Sequence, residues 1–348
     1  MKALVFHGPG QHAWENRPEP RIEAPTDVLI AVSAATVCGT DLHIHHGVHP
    51  EVPPGTIMGH EAVGRITEIG TDVRNFAVGD RVAVPPITNC GACAACQSGT
   101  SAHCSTSGPN GWLLGHSHDG VQAEYARIPF ADHSLHLIPD NVTDEIAILT
   151  VDAMAAAYEM GVKNGAVSTG DAVVIIGDGP IGLSAVPLAR LEGANHVILV
   201  GLRPFRLEAA LQLGATNVVD ASQDDWVERA RAVLPERGAD VVIEAVGSKE
   251  ALEAAFDLVA VFGRVANIGV HTEPVLLPIE KLWIKNFTFT SGMLSCTSTP
   301  KLLQLIASGS LDASPIITHK IPLDKAVEAY AMAEAADESR ATKIILHR

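Results

Sequence analysis

The sequence is poor in aromatic side chains, poor in positive charge and without any long apolar run. Eight Phe, four Trp and three Tyr among 348 residues mean that the core must be built from aliphatic side chains and Ala. Lys plus Arg number 24 against 40 Asp plus Glu, a formal charge of −16. That balance supplies no broad positive potential to grip nucleic-acid phosphates or anionic lipid, so neither is expected as a partner. No segment approaches the roughly 18 apolar residues of a membrane span. The run Lys2–Phe6, ended by His7-Gly8-Pro9, falls short of the apolar core of about 7–15 residues in a secretory signal. These absences point to a cytoplasmic protein, where thiols stay reduced and clustered cysteines favour metal over disulfide.

What is present is a change of texture near residue 153. The first part reads as β-rich, with short apolar runs such as Val28–Val32, Ala62–Ile66 and Val82–Val84 separated by Pro, Gly and Asp turns. Beyond Ala153, apolar strand candidates alternate with helical stretches. The strands are Ala172–Gly177, His196–Gly201, Asn217–Asp220, Asp240–Val246 and Arg264–Gly269, with Asn286–Thr290 as a sixth. The helices are Pro180–Gly193, Pro204–Leu213, Trp226–Leu234 and Lys249–Val261. That alternation predicts an α/β chain with a parallel sheet covered on both faces. A helix at Asp324–Ala335 and a strand at Lys343–Leu346 close the sequence. The expected domains are 1–153 with 296–348, and 154–295.

Two cysteine-bearing patterns carry chemistry. Cys90, Cys93, Cys96 and Cys104 form C-x2-C-x2-C-x7-C, and four thiolates this close suit one tetrahedral Zn²⁺ with no open position, hence a structural ion. Two disulfides, unrelated thiols or an iron–sulfur cluster are the competing readings. The second pattern joins Cys38-Gly39-Thr40-Asp41-Leu42-His43 to Gly59-His60-Glu61. Cys38 and His60 offer a thiolate and an imidazole, and Asp152 can complete three ligands. Three protein ligands leave a fourth position open, which is the catalytic type of zinc site. Taken singly, the Cys reads as a small hydrophobe, the His as structural and Asp152 as a helix cap.

Val173–Ile176 leads into Gly177-Asp178-Gly179-Pro180-Ile181-Gly182, a G-x-G-x-x-G between strand and helix. The first Gly permits the turn, the second admits a pyrophosphate and the third packs helix on strand. The helix N-terminus faces the anion. At the end of the next strand, Gly201-Leu202-Arg203 stands where a ribose-binding carboxylate would mark NAD. Arg203 favours the extra phosphate of NADP, with NAD the alternative. Val246 and Ile268, at the ends of later strands, join the cofactor candidates.

In this order and spacing, these motifs, together with Gly79-Asp80-Arg81-Val82, resemble those of the zinc-containing medium-chain alcohol dehydrogenases from end to end. The resemblance implies a GroES-like β-rich catalytic domain plus a Rossmann doubly wound domain, two Zn²⁺ per chain, and reversible hydride transfer between an alcohol and NADP. The family's Cys₂His catalytic zinc is varied here, because Asp152 replaces the second Cys. Glu61 would then be a transient fourth ligand. Thr40, the cofactor ribose and His43 would relay the proton outward, although His43 also sits among His45, His46 and His49, which read equally as an adventitious metal binder. Similarity to secondary-alcohol enzymes places Trp112, Met293 and Leu294 at the substrate pocket; core packing is the other reading. Relatives are dimers or tetramers, with Asn286–Thr290 an edge suited to sheet continuation. The rival readings are a polyol or amino-alcohol dehydrogenase, and a nucleotide-binding protein of this fold without chemistry.

Overall fold

The computed structural model describes residues 1–107 and 111–348. They divide into two compact units. The first comprises Met1–Asp152, Ser295–Ala307 and Ile317–Arg348; the second comprises Ala153–Leu294 and Ser308–Ile316. Residues 308–316, expected with the first part, cluster with the second, where Leu311, Ala313 and Ile316 are buried.

The first unit is organised by a mostly antiparallel sheet. Its strands run, in spatial order, Ile317–Pro322, Lys343–His347, Val28–Thr36, Ala62–Ile69, Arg81–Val84 and His136–Leu137, and Tyr125–Ile128 also pairs with Val28–Thr36. The register decides where chemistry gathers. Ala35 lies opposite Ala62 on one side, and Thr36 lies opposite Ile345 on the other. Cys38 beyond Thr36, His60 and Glu61 before Ala62, and Lys343 before Ile345 are therefore delivered to one end of the sheet. Val63, Ala83, Ile148, Leu303 and Ile345 pack in one aliphatic core cluster. The run read only as too short for a signal is itself a strand, Lys2–Gly8, in a hairpin with Gln11–Asn16.

The second unit bears out the expected parallel sheet. Its spatial order is Asn217–Asp220, His196–Gly201, Ala172–Ile176, Ala239–Glu244, Val259–Asn267 and Thr288–Ser291, which is 3-2-1-4-5-6 in chain order. Ala172–Ile176 is buried along its whole length, as a strand covered on both faces must be. Val174, Ile198, Val242 and Phe256 share its core. Element ends shift from expectation by a few residues, the largest shift being the strand expected from Arg264, which begins at Val259. The helix Lys249–Leu258 stops before Val261, because the β-branched run from Val259 turns extended and begins the next strand.

Candidate active site

Cys38 caps the N-terminus of the helix Gly39–His45. The Asp41 side chain accepts the Cys38 backbone N–H at 2.9 Å, which fixes the turn that presents the thiol. Asp41 Oδ1 also lies 3.1 Å from His60 Nδ1, and neither atom has another hydrogen-bond partner. A proton on Nδ1 facing that carboxylate leaves the Nε2 lone pair for the opposite side, the usual outer-shell support of a ligand imidazole. On that side His60 Nε2 stands 3.9 Å from Asp152 Oδ2, and Cys38 Sγ stands 3.3 Å from the same oxygen. One donor atom each from Cys38, His60, Glu61 and Asp152 lies within 4.8 Å of the others.

Glu61 is held back by an ion pair. Lys343 Nζ donates to both of its carboxylate oxygens at 2.9 Å, and both side chains are 1% exposed. Burial drives Cys38 up to about 11, with the Asp152 charge adding to it. Burial also lifts Glu61 to about 7 against the pull of Lys343, and Asp152 pushes it the same way. For His60, burial acts downward but Asp41 and then Cys38 outweigh it, so the ring is raised well above its ordinary value. A buried thiol and two carboxylates facing one point form a cluster of negative charge that a bound divalent cation would offset. The donor set fits zinc.

Trp112 is buried beside this cluster. Its ring meets His60 edge-on at 5.8 Å, stacks on His116 at 4.3 Å and meets His49 at 5.5 Å. His49 Nδ1 and His116 Nε2 each lie 3.1 Å from Glu51 Oε1. Thr40 and His43 are half-buried, one turn apart on the helix Gly39–His45. Burial, then His49 and His46, hold His43 below its ordinary value.

The four-cysteine loop closes on itself. Cys90, Cys93, Cys96 and Cys104 bring their sulfurs within 4.8 Å of one another. Cys93 and Cys96 sulfurs are 3.5 Å apart, far beyond the roughly 2.05 Å of a disulfide, and all four thiols are free. Backbone N–H groups of Cys96 and Ser105 pull Cys93 down to about 5. Cys104, although burial opposes it, falls to about 7 through Ser107 and Cys90. Such N–H···S support is what a tetrathiolate zinc requires.

In the second unit, Gly177 has φ +119°, a turn that L side chains rarely adopt. A Cβ on Gly182 would meet Gly177 O at 1.9 Å, whereas a Cβ on Gly179 would meet nothing within 4 Å. Close packing at the third glycine and open space at the second match their expected parts around a pyrophosphate. Pro180 and Ile181 open the helix Pro180–Leu191, with Gly179 at its cap. Val246 adjoins Gly177, and Ile268 N–H donates to Glu244 O across the adjoining strand end. Met293 and Leu294 are half-buried beyond the edge strand.

The expectation that no carboxylate stands near Gly201–Arg203 is corrected by Asp178. Its Oδ2 accepts the N–H groups of Leu202 at 2.8 Å and Arg203 at 2.7 Å, and its Oδ1 lies 3.4 Å from Arg206 Nη1. Sequence distance along one strand could not find it, because Asp178 arrives from the neighbouring strand. Asp41 and Lys343 were likewise missed. Asp41 carried a signal, a carboxylate three residues beyond an N-cap, and Lys343, 282 residues from Glu61, carried none.

Residues 24–140 match the model of the alcohol dehydrogenase GroES-like domain, and residues 180–308 match that of the zinc-binding dehydrogenases. A Mycobacterium tuberculosis protein named "probable zinc-binding alcohol dehydrogenase" is 36% identical over 340 residues, spanning 96% of this chain and 86% of its own. The chain belongs to the zinc-containing medium-chain alcohol dehydrogenases. The zinc-dependent alcohol dehydrogenase 2 of Streptococcus pneumonia, solved in apo form, superposes with TM-score 0.93 at 36% identity over 100% of this chain and 98% of that one. A Sinorhizobium meliloti zinc-binding dehydrogenase bound to NADP superposes with TM-score 0.87 at 29% identity, over 100% and 99%. This dehydrogenase is thus a zinc- and nicotinamide-dependent oxidoreductase. Among the described residues no helix is long and apolar enough to cross a membrane.

Proposed function

We propose that this dehydrogenase interconverts simple secondary or primary alcohols and their ketones or aldehydes with NADP, and that Cys38, His60 and Asp152 hold the catalytic zinc. The convergence of those three donors at one end of the first sheet carries the reading. When bound, the zinc supplies Lewis acidity toward the substrate oxygen and the nicotinamide exchanges the hydride. The chain's own groups do the rest. Asp41 holds His60 in its ligand tautomer, and Lys343 holds Glu61 in reserve as a transient ligand. The Thr40 hydroxyl passes the substrate proton on, and His43, kept below its ordinary value, releases it to solvent. Cys90, Cys93, Cys96 and Cys104 hold the second, structural zinc. Gly177, Gly179, Pro180, Ile181 and Gly182 take the pyrophosphate, while Gly201, Leu202 and Arg203 face the adenosine ribose.

Arg203 and Arg206 both approach Asp178, at 3.9 and 3.4 Å, beside the strand end assigned to the adenosine ribose, and guanidinium groups at that place favour NADP. A neighbouring solved enzyme from E. coli CFT073 is complexed with NADH, and NAD is the alternative. Arg203→Ala separates them: the ratio of kcat/KM for NADP over NAD should fall at least about tenfold, the loss of one charge-assisted contact. An unchanged ratio overturns the NADP assignment.

By similarity to secondary-alcohol enzymes, Trp112, Met293 and Leu294 are the apolar residues we assign to the substrate. A second reading rests on Glu51, His49 and His116 around Trp112, polar groups that suit a polyol or amino alcohol. A Bacillus subtilis sorbitol dehydrogenase and a Shewanella woodyi L-threonine 3-dehydrogenase are relatives at 33% and 32% identity. Turnover of propan-2-ol against sorbitol and threonine, with zinc counted on the same sample, decides between the two. We further assign self-association as a dimer or tetramer to the edge strand Thr288–Ser291, whose surroundings expose Leu276, Trp283, Ile284 and Phe289. Four unbonded thiols suit a reducing compartment, the cytoplasm.

A further inference from the structure

We propose that His45, His46 and Glu334 form a third metal site, on the surface of the first unit, for a divalent transition-metal ion such as Zn²⁺. His46 Nε2 lies 2.8 Å and His45 Nε2 lies 3.7 Å from Glu334 Oε1, and one donor atom of each residue falls within 4.8 Å of the others. Donors about 2.0–2.1 Å from a tetrahedral ion stand roughly 3.4 Å from one another, a separation that the two measured distances bracket. Two imidazoles and a carboxylate are borderline donors suited to zinc, cobalt or nickel.

His45 is set for this before any ion arrives. Its side chain is only 10% exposed, and its Nε2 is beyond hydrogen-bond reach of the carboxylate. Its Nδ1 lies 2.9 Å from His12 Nδ1, and both rings pack against Tyr330. At that distance His12 Nδ1 is placed to accept a proton from the His45 ring. With His45 Nδ1–H donating to His12, the His45 Nε2 lone pair points toward Glu334. That is the arrangement in which a ligand imidazole is oriented by a partner on its far nitrogen. The fields agree. Glu334 ends the helix Ala326–Glu334 and His45 ends the helix Gly39–His45, and the C-terminal ends of helices favour a cation nearby. A groove of about 540 Å³ bordered by His12, His45, Tyr330 and Glu334 leaves room for water to complete the coordination. An ion there ties the C-terminal helix to the helix whose first turn carries Asp41.

The test is a Zn²⁺ titration by calorimetry of enzyme that keeps its tightly held zinc and has been desalted of loose metal. The wild type should take up one further equivalent per chain, with a rise in Tm. His46→Ala and Glu334→Gln should lose both responses while retaining the tightly held zinc and alcohol oxidation. His12→Ala should weaken the site about 10- to 100-fold, and His49→Ala should leave it unchanged. The proposal fails if the wild type takes no further equivalent. It fails equally if that equivalent persists undiminished in either His46→Ala or Glu334→Gln, or disappears in His49→Ala.

Discussion

At the scale of single residues, the cluster depends on side chains outside the four donors, which act through His60 and Glu61. Lys343 is the clearest, an ammonium buried at 1% exposure that donates to the two oxygens of Glu61. Removing one member of such a pair strands the other charge, which costs about 3–5 kcal/mol. Lys343→Met should therefore lower the urea midpoint sharply, and Glu61→Gln made in the same background should recover part of the loss. Asp41 does its work through His60. Asp41→Asn keeps the shape but removes the charge facing Nδ1. Zinc affinity at the Cys38–His60–Asp152 cluster should fall about 10- to 100-fold, read by competition with a chelator, while the four-thiol zinc is retained.

At the scale of elements, turns and strand starts are pinned by local chemistry. Gly91 has φ +69°, and a Cβ there would sit 2.3 Å from the His133 ring. Gly91→Ala should loosen the Cys90–Cys104 loop and speed zinc release to a chelator. A left-handed Ala alone costs roughly 1–2 kcal/mol, and the contact with His133 adds to it. Asp240 ties the first strand of the parallel sheet by accepting Ala172 N–H at 2.8 Å, and it pairs with Arg237. Burial alone would raise its pKa, but the Arg237 bond and then the Ala172 N–H hold it below the ordinary carboxylate value. A carboxyl depressed in the folded state stabilises above its unfolded pKa, near 3.8, and that contribution is lost as pH falls through the folded value. Asp240→Asn should thus cost about 1 kcal/mol at pH 7, with the difference from wild type shrinking in thermal melts as pH falls through and below the depressed folded pKa.

At the scale of the whole molecule, Trp283 and Ile284 are exposed, and the proposed self-association is placed at this edge. Trp283→Asp should shift the mass by light scattering toward the monomer without removing either zinc. The sequence by itself determined a great deal. Alternation of apolar strands with helices fixed the parallel sheet, because a doubly covered strand has no polar face to show. Spacing identified the four-cysteine loop and the glycine turn, because donors and turns that act locally must lie close in the chain. It also supplied Cys38, His60 and Asp152 as donor types, with Asp152 placed by inference from far along the chain. Only the tertiary structure decided that Ala35 lies opposite Ala62 and Thr36 opposite Ile345, the registers that bring Glu61 and Lys343 together. It alone sent Asp178 to the end of a neighbouring strand and set Glu334 beside His46 across 288 residues. Local patterns record what a segment must bury or how it must turn. Pairings between distant segments depend on register and packing, which no single stretch of sequence contains.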